Sequence, residues 1–365
     1  MGNVYLFTGF PGFIATALIK QMVHKGYEIE HINLLVLPSM LDKARAAISN
    51  IVAEAGIAQD KFTIVPGDIT KPELALDTEA AARLKASITH VFHLAAVYDL
   101  AVPENIAYTV NVDGTKWVNE WLLTLTTLKR YVYFSTAYVS GQREGRILET
   151  ELDMNQTFKN HYEKTKFEAE KLVQAIRDKV PTTIIRPGIV VGNSKTGATI
   201  KFDGPYFILN LFEHLKFLPF IPYFGPGAAE ANFIPVDYIF DATIYLSHAD
   251  AGIGKTYHLT DPKPYKVKDI YKFLLQESFG RQPVFTVPIA LAKASLSIPP
   301  IRKWLQVEKE ALEYFTCLAS YDSSQAQQDL AGSGVSCPDF KSYLKPLVSF
   351  YKQHKNDKDK QIVIH

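Results

Sequence analysis

The residues best suited to chemistry stand together in His161-Tyr162-Glu163-Lys164-Thr165-Lys166. Tyr162 and Lys166 fall four apart in a segment, Tyr162 to Arg177, whose Glu, Lys, Ala and Leu content reads as helix. At that spacing two side chains share one face, one turn apart. An ammonium beside a phenol favours phenolate and draws the tyrosine down from its ordinary pKa of about 10. Such a tyrosine exchanges a proton with a substrate oxygen at neutral pH. Tyr-x-x-x-Lys also arises by chance on many helices, so the weight falls on the elements that would have to position it.

Val4-Tyr5-Leu6-Phe7 is a short apolar run suited to a strand buried on both faces. Thr8-Gly9-Phe10-Pro11-Gly12-Phe13-Ile14-Ala15 follows, then an amphipathic helix from about Thr16 to His24. Strand, glycine turn and helix in that order form the context in which a glycine motif binds a dinucleotide. Gly9 permits the tight turn, Gly12 lets backbone approach a pyrophosphate, and the helix N-terminus offers N–H groups to phosphate. An ordinary β–α turn is the plainer reading of the same residues.

A second strand, His31 to Leu37, ends in Pro38-Ser39 without the acid that grips an adenosine ribose in NAD-selective sites. The first acid, Asp42, comes later beside Lys43 and Arg45. That pattern favours NADP(H) and leaves NAD(H) open. A third strand, Phe62 to Val65, leads to Gly67-Asp68-Ile69, where Asp68 could accept from an adenine amino group or cap a turn. His90 to Leu94 is the fourth strand, running into Ala95-Ala96. Asn111-Val112-Asp113-Gly114-Thr115 opens a helix that carries Trp117 and Trp121, read as core or interface.

The fifth strand, Tyr131 to Phe134, ends in Ser135-Thr136. Hydroxyls at the end of a parallel strand face the crevice where such sheets bind ligands. Thr136, Tyr162 and Lys166 can therefore converge on one substrate oxygen. A sixth strand, Thr182 to Ile185, runs into Arg186-Pro187-Gly188-Ile189-Val190. Composition then shifts. Pro205 to Phe224 is dense in Phe, Leu, Pro and Tyr, with later strands near Phe233 to Val236 and Lys255 to Leu259 and helices from Val236 and Val267. The apolar stretches 205–224 and 284–312 suit an acyl-chain tunnel or the plain packing of a smaller domain; a membrane-touching face is a third reading. The fold expected is α/β: a Rossmann-type doubly wound parallel sheet over 1–192 with a return segment at about 232–250. A smaller C-terminal substrate-binding α/β portion takes 193–231 and 251–353, and 354–365 reads as a frayed charged tail.

The 365 residues are 47% hydrophobic with a formal net charge of +1, which argues against a nucleic-acid surface. Two cysteines, Cys317 and Cys337, lie outside every motif, so a reducing, cytoplasmic setting is expected. The N-terminus enters a glycine turn and does not read as a secretory signal, and no stretch is apolar for long enough to span a bilayer. No ligand cluster for a metal is seen.

In order, Thr8-Gly9-x-x-Gly12-x-x-Ala15, Gly67-Asp68, His93-Leu94-Ala95-Ala96, Asn111-Val112-x-Gly114-Thr115, Ser135-Thr136, Tyr162-x-x-x-Lys166 and Arg186-Pro187-Gly188 resemble the extended short-chain dehydrogenase/reductase superfamily. Leu34-Leu35-Val36, Phe134-Ser135-Thr136-Ala137-Tyr138-Val139, Gly192 and Val236-Asp237-Tyr238 are most similar to its thioester-reductase branch, which includes fatty acyl-CoA reductases of the male-sterility type. That resemblance implies an NADPH-dependent oxidoreductase that reduces an acyl thioester, on CoA or on a separate carrier, to an aldehyde. Thr136, Tyr162 and Lys166 would be catalytic. The cofactor would touch Thr8 to Ile14, Asp68, Ile69, Leu94, Ala95, Ala96, Tyr162, Lys166 and Pro187 to Val190. One departure concerns the 2′-phosphate: Leu37 stands where that branch often has arginine, leaving Ser39, Lys43 or Arg45 as substitutes. His93 and His161 are expected to be structural or solvent-facing. A homodimer through the helices near Asn111 and Tyr162 is an expectation by analogy. Rival readings are a carbonyl or alcohol oxidoreductase of the dihydroflavonol-reductase or hydroxysteroid-dehydrogenase type, a sugar-nucleotide epimerase, and a non-catalytic NADP(H) sensor.

Overall fold

The structure is a computed structural model that describes residues 2–98, 102–307, 312, 316–362 and 364. Seven parallel strands form the large sheet: β1 (Asn3–Thr8), β2 (Ile29–Val36), β3 (Phe62–Pro66), β4 (His90–His93), β5 (Arg130–Phe134), β6 (Thr182–Pro187) and β7 (Lys255–Leu259). Their order across the sheet is β7-β6-β5-β4-β1-β2-β3. The chain leaves β1 toward β3 on one side, then crosses to β4 and runs the other way. The reversal falls between β1 and β4, and there the carboxyl ends of the strands open a crevice for a ligand.

β1 forms where the sequence is continuously apolar, from Val4 to Phe7. Tyr5, Leu6 and Phe7 of β1 are all buried, as a strand covered on both faces requires. Helices Phe13–His24, Leu41–Ala55 and Val236–His248 cover one face, packing Leu18, Ile48 and Ile239 on Phe7, Leu34 and Phe92. Helices Thr78–Ser87, Gly114–Leu122 and His161–Gln174 cover the other through Leu84, Trp121 and Val173.

A second core joins helices Tyr206–Leu215, Val267–Phe279 and Phe340–His354 through Phe212, Tyr271 and Leu347. Two parts of the expected division fall elsewhere. Lys255–Leu259 pairs in register with Thr183–Pro187 as the edge strand of the large sheet, so the return segment extends past about 250 to Leu259. Tyr257 and Leu259 are completely buried in the nucleotide-side core, which is what holds them there. The charged tail is folded back: Lys360 accepts from Phe202 N at 2.8 Å and donates Nζ to Thr199 O at 3.0 Å. Ile362 and Ile364 pack against Phe207 and Leu305. Two apolar side chains so close to the end give that tail something to bury. Of the stretch 284–312, residues 308–311 lie outside the described set; the rest holds helices Ile289–Leu296 and Pro299–Leu305.

Candidate active site

Gly9 leaves β1 with φ +80°, and a Cβ there would lie 2.7 Å from Ala95 N and 2.8 Å from Leu94 C. Both facts exclude any other residue. Gly12 N donates to Gly9 O at 2.8 Å, and a Cβ on Gly12 would lie 2.5 Å from that same oxygen. The turn is thus closed on itself, and Gly12 becomes the N-cap of helix Phe13–His24 without a side chain to satisfy its N–H groups. No acid stands in the first turn to compete for them. An anion is the complement of that end.

The neighbouring strand end is tied to it by a hydroxyl–imidazole relay whose sense can be read from its termini. Thr115 donates its proton to Asn111 O at 2.6 Å, so His93 Nε2 is the donor to Thr115 Oγ1 at 3.2 Å. His93 Nδ1 is then the acceptor from Thr8 Oγ1 at 2.8 Å, and Thr8 accepts from Leu94 N and Ala95 N at 3.1 and 3.2 Å. Burial pushes His93 down to about 3, so it stays neutral and structural. Leu94, Ala95 and Ala96 are held, half-buried, on the crevice side of β4.

At the other end of the crevice, Leu37 is exposed after β2, and Ser39 and Lys43 are exposed beside it. Arg45 is engaged with Asp42 at 2.9 Å. Asp68 caps its own turn, Oδ1 accepting from Thr70 N and Oγ1 at 2.8 Å each. Ile69 is buried under Gly114, where a Cβ would lie 2.8 Å from Ile69 Cδ1.

The reacting end is built by helix His161–Gln174, which Asn160 starts by accepting from Glu163 N at 2.9 Å. Tyr162 is half-buried and hydrogen-bonded to Thr136, which follows β5. The expected lowering of the phenol does not occur. Burial pushes Tyr162 up to about 12, against the pull of the Thr136 bond. Lys166 donates to Phe134 O at 2.7 Å and Tyr133 Oη at 3.0 Å and sits 4.4 Å from the Tyr133 ring centroid. Burial pushes this lysine down to about 7, with Glu170 pulling the other way. Tyr133 is in turn bonded to Thr115, so the lysine joins the relay that holds Thr8 and His93.

A lysine whose folded pKa is depressed binds a proton in the unfolded chain that the folded chain has shed. Stability from this group is therefore low below about pH 7 and grows as pH rises from about 7 towards the unfolded value near 10.5. The urea midpoint of the wild type is expected to rise relative to that of Lys166→Met across that window. A constant difference between the two would contradict the depressed pKa.

Several supporting roles escaped the sequence reading. Asn111 lies in a π-helical segment, Tyr108–Asp113, a form frequent at functional sites. Its Oδ1 accepts from Val97 N at 2.8 Å; its Nδ2 donates to Val97 O and Thr165 Oγ1, each at 3.0 Å. It ties the loop after β4 to the helix of Tyr162. One turn beyond Lys166, Glu170 is completely buried, accepting from Ser135 Oγ at 2.5 Å and pairing with Arg186 Nη2 at 2.5 Å. The helix is thus pinned to β5 and β6 at successive turns. The signal for Glu170 was present: a charge at the next i+4 position, and an arginine at the end of a completely buried strand. Beyond Arg186, Pro187 to Val190 continues along the crevice, with Gly188 so close to Asn232 that a Cβ would lie 2.7 Å from its carbonyl. His161 is exposed, as expected.

Residues 7–243 match the family model described as male sterility protein, NAD-binding. The chain belongs to this male-sterility family. With it come the oxidoreductase class of the extended short-chain dehydrogenase/reductase type and a nicotinamide cofactor. Among its relatives in the family's range, the nonribosomal peptide synthetase cpsA of Aspergillus campestris is 30% identical over 71% of this chain and 25% of its own length. The alcohol-forming fatty acyl-CoA reductase of Simmondsia chinensis is 24% identical over 70% of this chain and 66% of its own. The chain therefore spans about a quarter of the synthetase's length. In fold it is similar to the terminal R domain of the myxalamid PKS-NRPS pathway, with a TM-score of 0.81 at 24% identity over 98% of this chain and 92% of that one. The chain fits a dinucleotide at its own residues: Gly9 and Gly12 close a tight turn onto a helix end with no capping side chain and no acid in its first turn, the kind of end that takes a pyrophosphate.

Proposed function

We propose that this chain reduces an acyl thioester to an aldehyde with NADPH. The observation that carries the reading is the Thr136–Tyr162 hydrogen bond at the mouth of the crevice, with Lys166 buried one turn behind it. When bound, the reduced nicotinamide supplies a hydride. Gly9 to Ile14 would hold its pyrophosphate, Pro187 to Val190 and Leu94 to Ala96 its nicotinamide end, and Lys166 its ribose. Thr136 and Tyr162 donate hydrogen bonds to the thioester carbonyl oxygen, where negative charge develops as the carbon is reduced. A phenol held near 12 is protonated at neutral pH, the form a proton donor needs. Tyr162 Oη gives its proton to that oxygen. As the C–S bond breaks, the phenolate recovers the proton from the oxygen, and the departing thiolate takes one from water. The products are aldehyde and thiol. The acyl group arrives on CoA or on a carrier; the reductases and synthetases among the relatives support both. The unpaired Cys317 and Cys337 agree with a cytoplasmic setting.

The test is NADPH oxidation by the purified chain with a long-chain acyl-CoA and, separately, with the matching aldehyde. Consumption with the thioester supports the reading. Turnover of the aldehyde alone would move the function to carbonyl reduction, the activity named for the aldehyde reductase lnbA of Aspergillus flavus, 22% identical over 72% of this chain.

Preference for NADPH rests on the missing acid after β2 and on exposed Ser39 and Lys43. Lys43→Glu is expected to weaken NADPH roughly fivefold or more, the scale of an exposed ion pair lost and reversed, and to leave NADH unchanged. Equal effects on the two cofactors would remove Lys43 from the 2′-phosphate.

A further inference from the structure

Two segments from either side of β5 meet beyond its carboxyl end. Tyr98 belongs to the loop that leaves β4. Val97 beside it is held at both N and O by Asn111, whose Nδ2 also donates to Thr165 on the helix of Tyr162. Lys201 belongs to the segment that follows β6. Gly204, close behind it, has φ +55°, and a Cβ there would lie 2.6 Å from Ile189 Cγ2. Between them Phe202 is completely buried, its ring 5.0 Å from that of Tyr206 and 5.2 Å from that of Tyr351. The C-terminal tail grips the segment on both sides of Lys201, through Phe202 N and Thr199 O. The main chain around Lys201 is thus fixed, and its exposed side chain is the part left to reach out.

It reaches across. Lys201 Nζ lies 5.0 Å from the centroid of the Tyr98 ring, which is 52% exposed. In the sheet β5 stands between β4 and β6. A contact between the loop after β4 and the segment after β6 therefore spans the end of β5, where Thr136 follows the strand and bonds Tyr162. The same two exits, Leu94 to Ala96 and Pro187 to Val190, are those assigned above to the nicotinamide end. An ammonium over an exposed ring is a weak contact, so an entering ligand can part it and it can re-form behind. A site closed in that way keeps water from the oxygen on which charge develops.

We propose that Tyr98 and Lys201 form a latch across the crevice mouth, parted by the acyl thioester as it enters and shielding the reduced nicotinamide when closed. What enters rests on the function proposed above. The fluorescence of bound NADPH would be quenched with acrylamide, a neutral probe indifferent to the lysine's charge. Tyr98→Leu and Lys201→Met are each expected to raise the quenching constant about two- to fivefold, the strength of an exposed cation–π contact. The double variant should go no further, because the same single contact is lost in all three. KM for a long-chain acyl-CoA is expected to fall by a similar factor with kcat no higher, since more of the protein stands open. An unchanged thermal midpoint and NADPH affinity would show that the variants are folded. Quenching unmoved in the single variants, additive effects in the double, or an unmoved KM would overturn the latch. A wild type that binds NADPH but turns over no thioester would instead sink the thioester reading, and quenching alone would then decide the latch.

Discussion

Tyr162→Phe is expected to lower the rate of thioester reduction by about 10²–10⁴-fold while NADPH still binds. The substitution removes one oxygen, the atom bonded to Thr136, and keeps the ring that fills the half-buried position. Its effect should therefore fall on the transition state and spare the fold. The pairing of outcomes matters more than the size of the loss. A fall in turnover accompanied by loss of cofactor binding would mean that the helix had shifted. The check is cofactor titration and turnover on the same preparation.

The largest effect on stability is expected at the buried ion pair. Glu170 and Arg186 are both essentially inaccessible, and the pair is completed by Ser135 on one side and by Glu149 O and His258 Nε2, each 3.2 Å from Arg186 Nη1, on the other. Glu170→Gln leaves the guanidinium charge buried without its counter-ion, at a cost of about 3–5 kcal/mol. Replacing both residues by Met should recover part of that loss, because removing a buried pair together avoids the lone charge. Urea unfolding of the two variants beside the wild type would decide it. A single substitution costing less than the double would show that the pair is not what holds helix and strands together.

The second effect bears on the first. Ser135 precedes Thr136, and Glu170 follows Lys166 by one turn, so the ion pair fixes the spacing between the two sides of the site. Loosening it should lower turnover even where enough protein remains folded.

Much of this was legible in the sequence because it is local. Strands buried on both faces announce themselves as unbroken apolar runs such as Val4 to Phe7. Glycines with a neighbour at Cβ distance have no substitute, so Gly9 and Gly12 show as a spaced pair. Tyr162 and Lys166 are set by one turn of helix. What was not legible depends on partners far along the chain. Burial raised the pKa of Tyr162 where a lowering was expected, and Lys166 reaches to Tyr133 and Phe134 O. Thr8, His93 and Thr115 come from three elements, and no spacing links them. Lys255–Leu259 reads as a strand, but its place at the edge of the large sheet follows from pairing with β6. The tail looks frayed by composition, and only its contact with Phe207 and Leu305 shows why it folds back.

The most direct test follows the hydride and the thiol together. The chain would be given NADPH carrying deuterium at the transferable C4 position and an acyl-CoA, with the aldehyde trapped for mass measurement and free thiol counted alongside. One deuterium per aldehyde, one thiol per NADPH consumed, and neither from Tyr162→Phe is the expected result. Unlabelled product, or NADPH consumed without release of thiol, would contradict reduction of a thioester at this site.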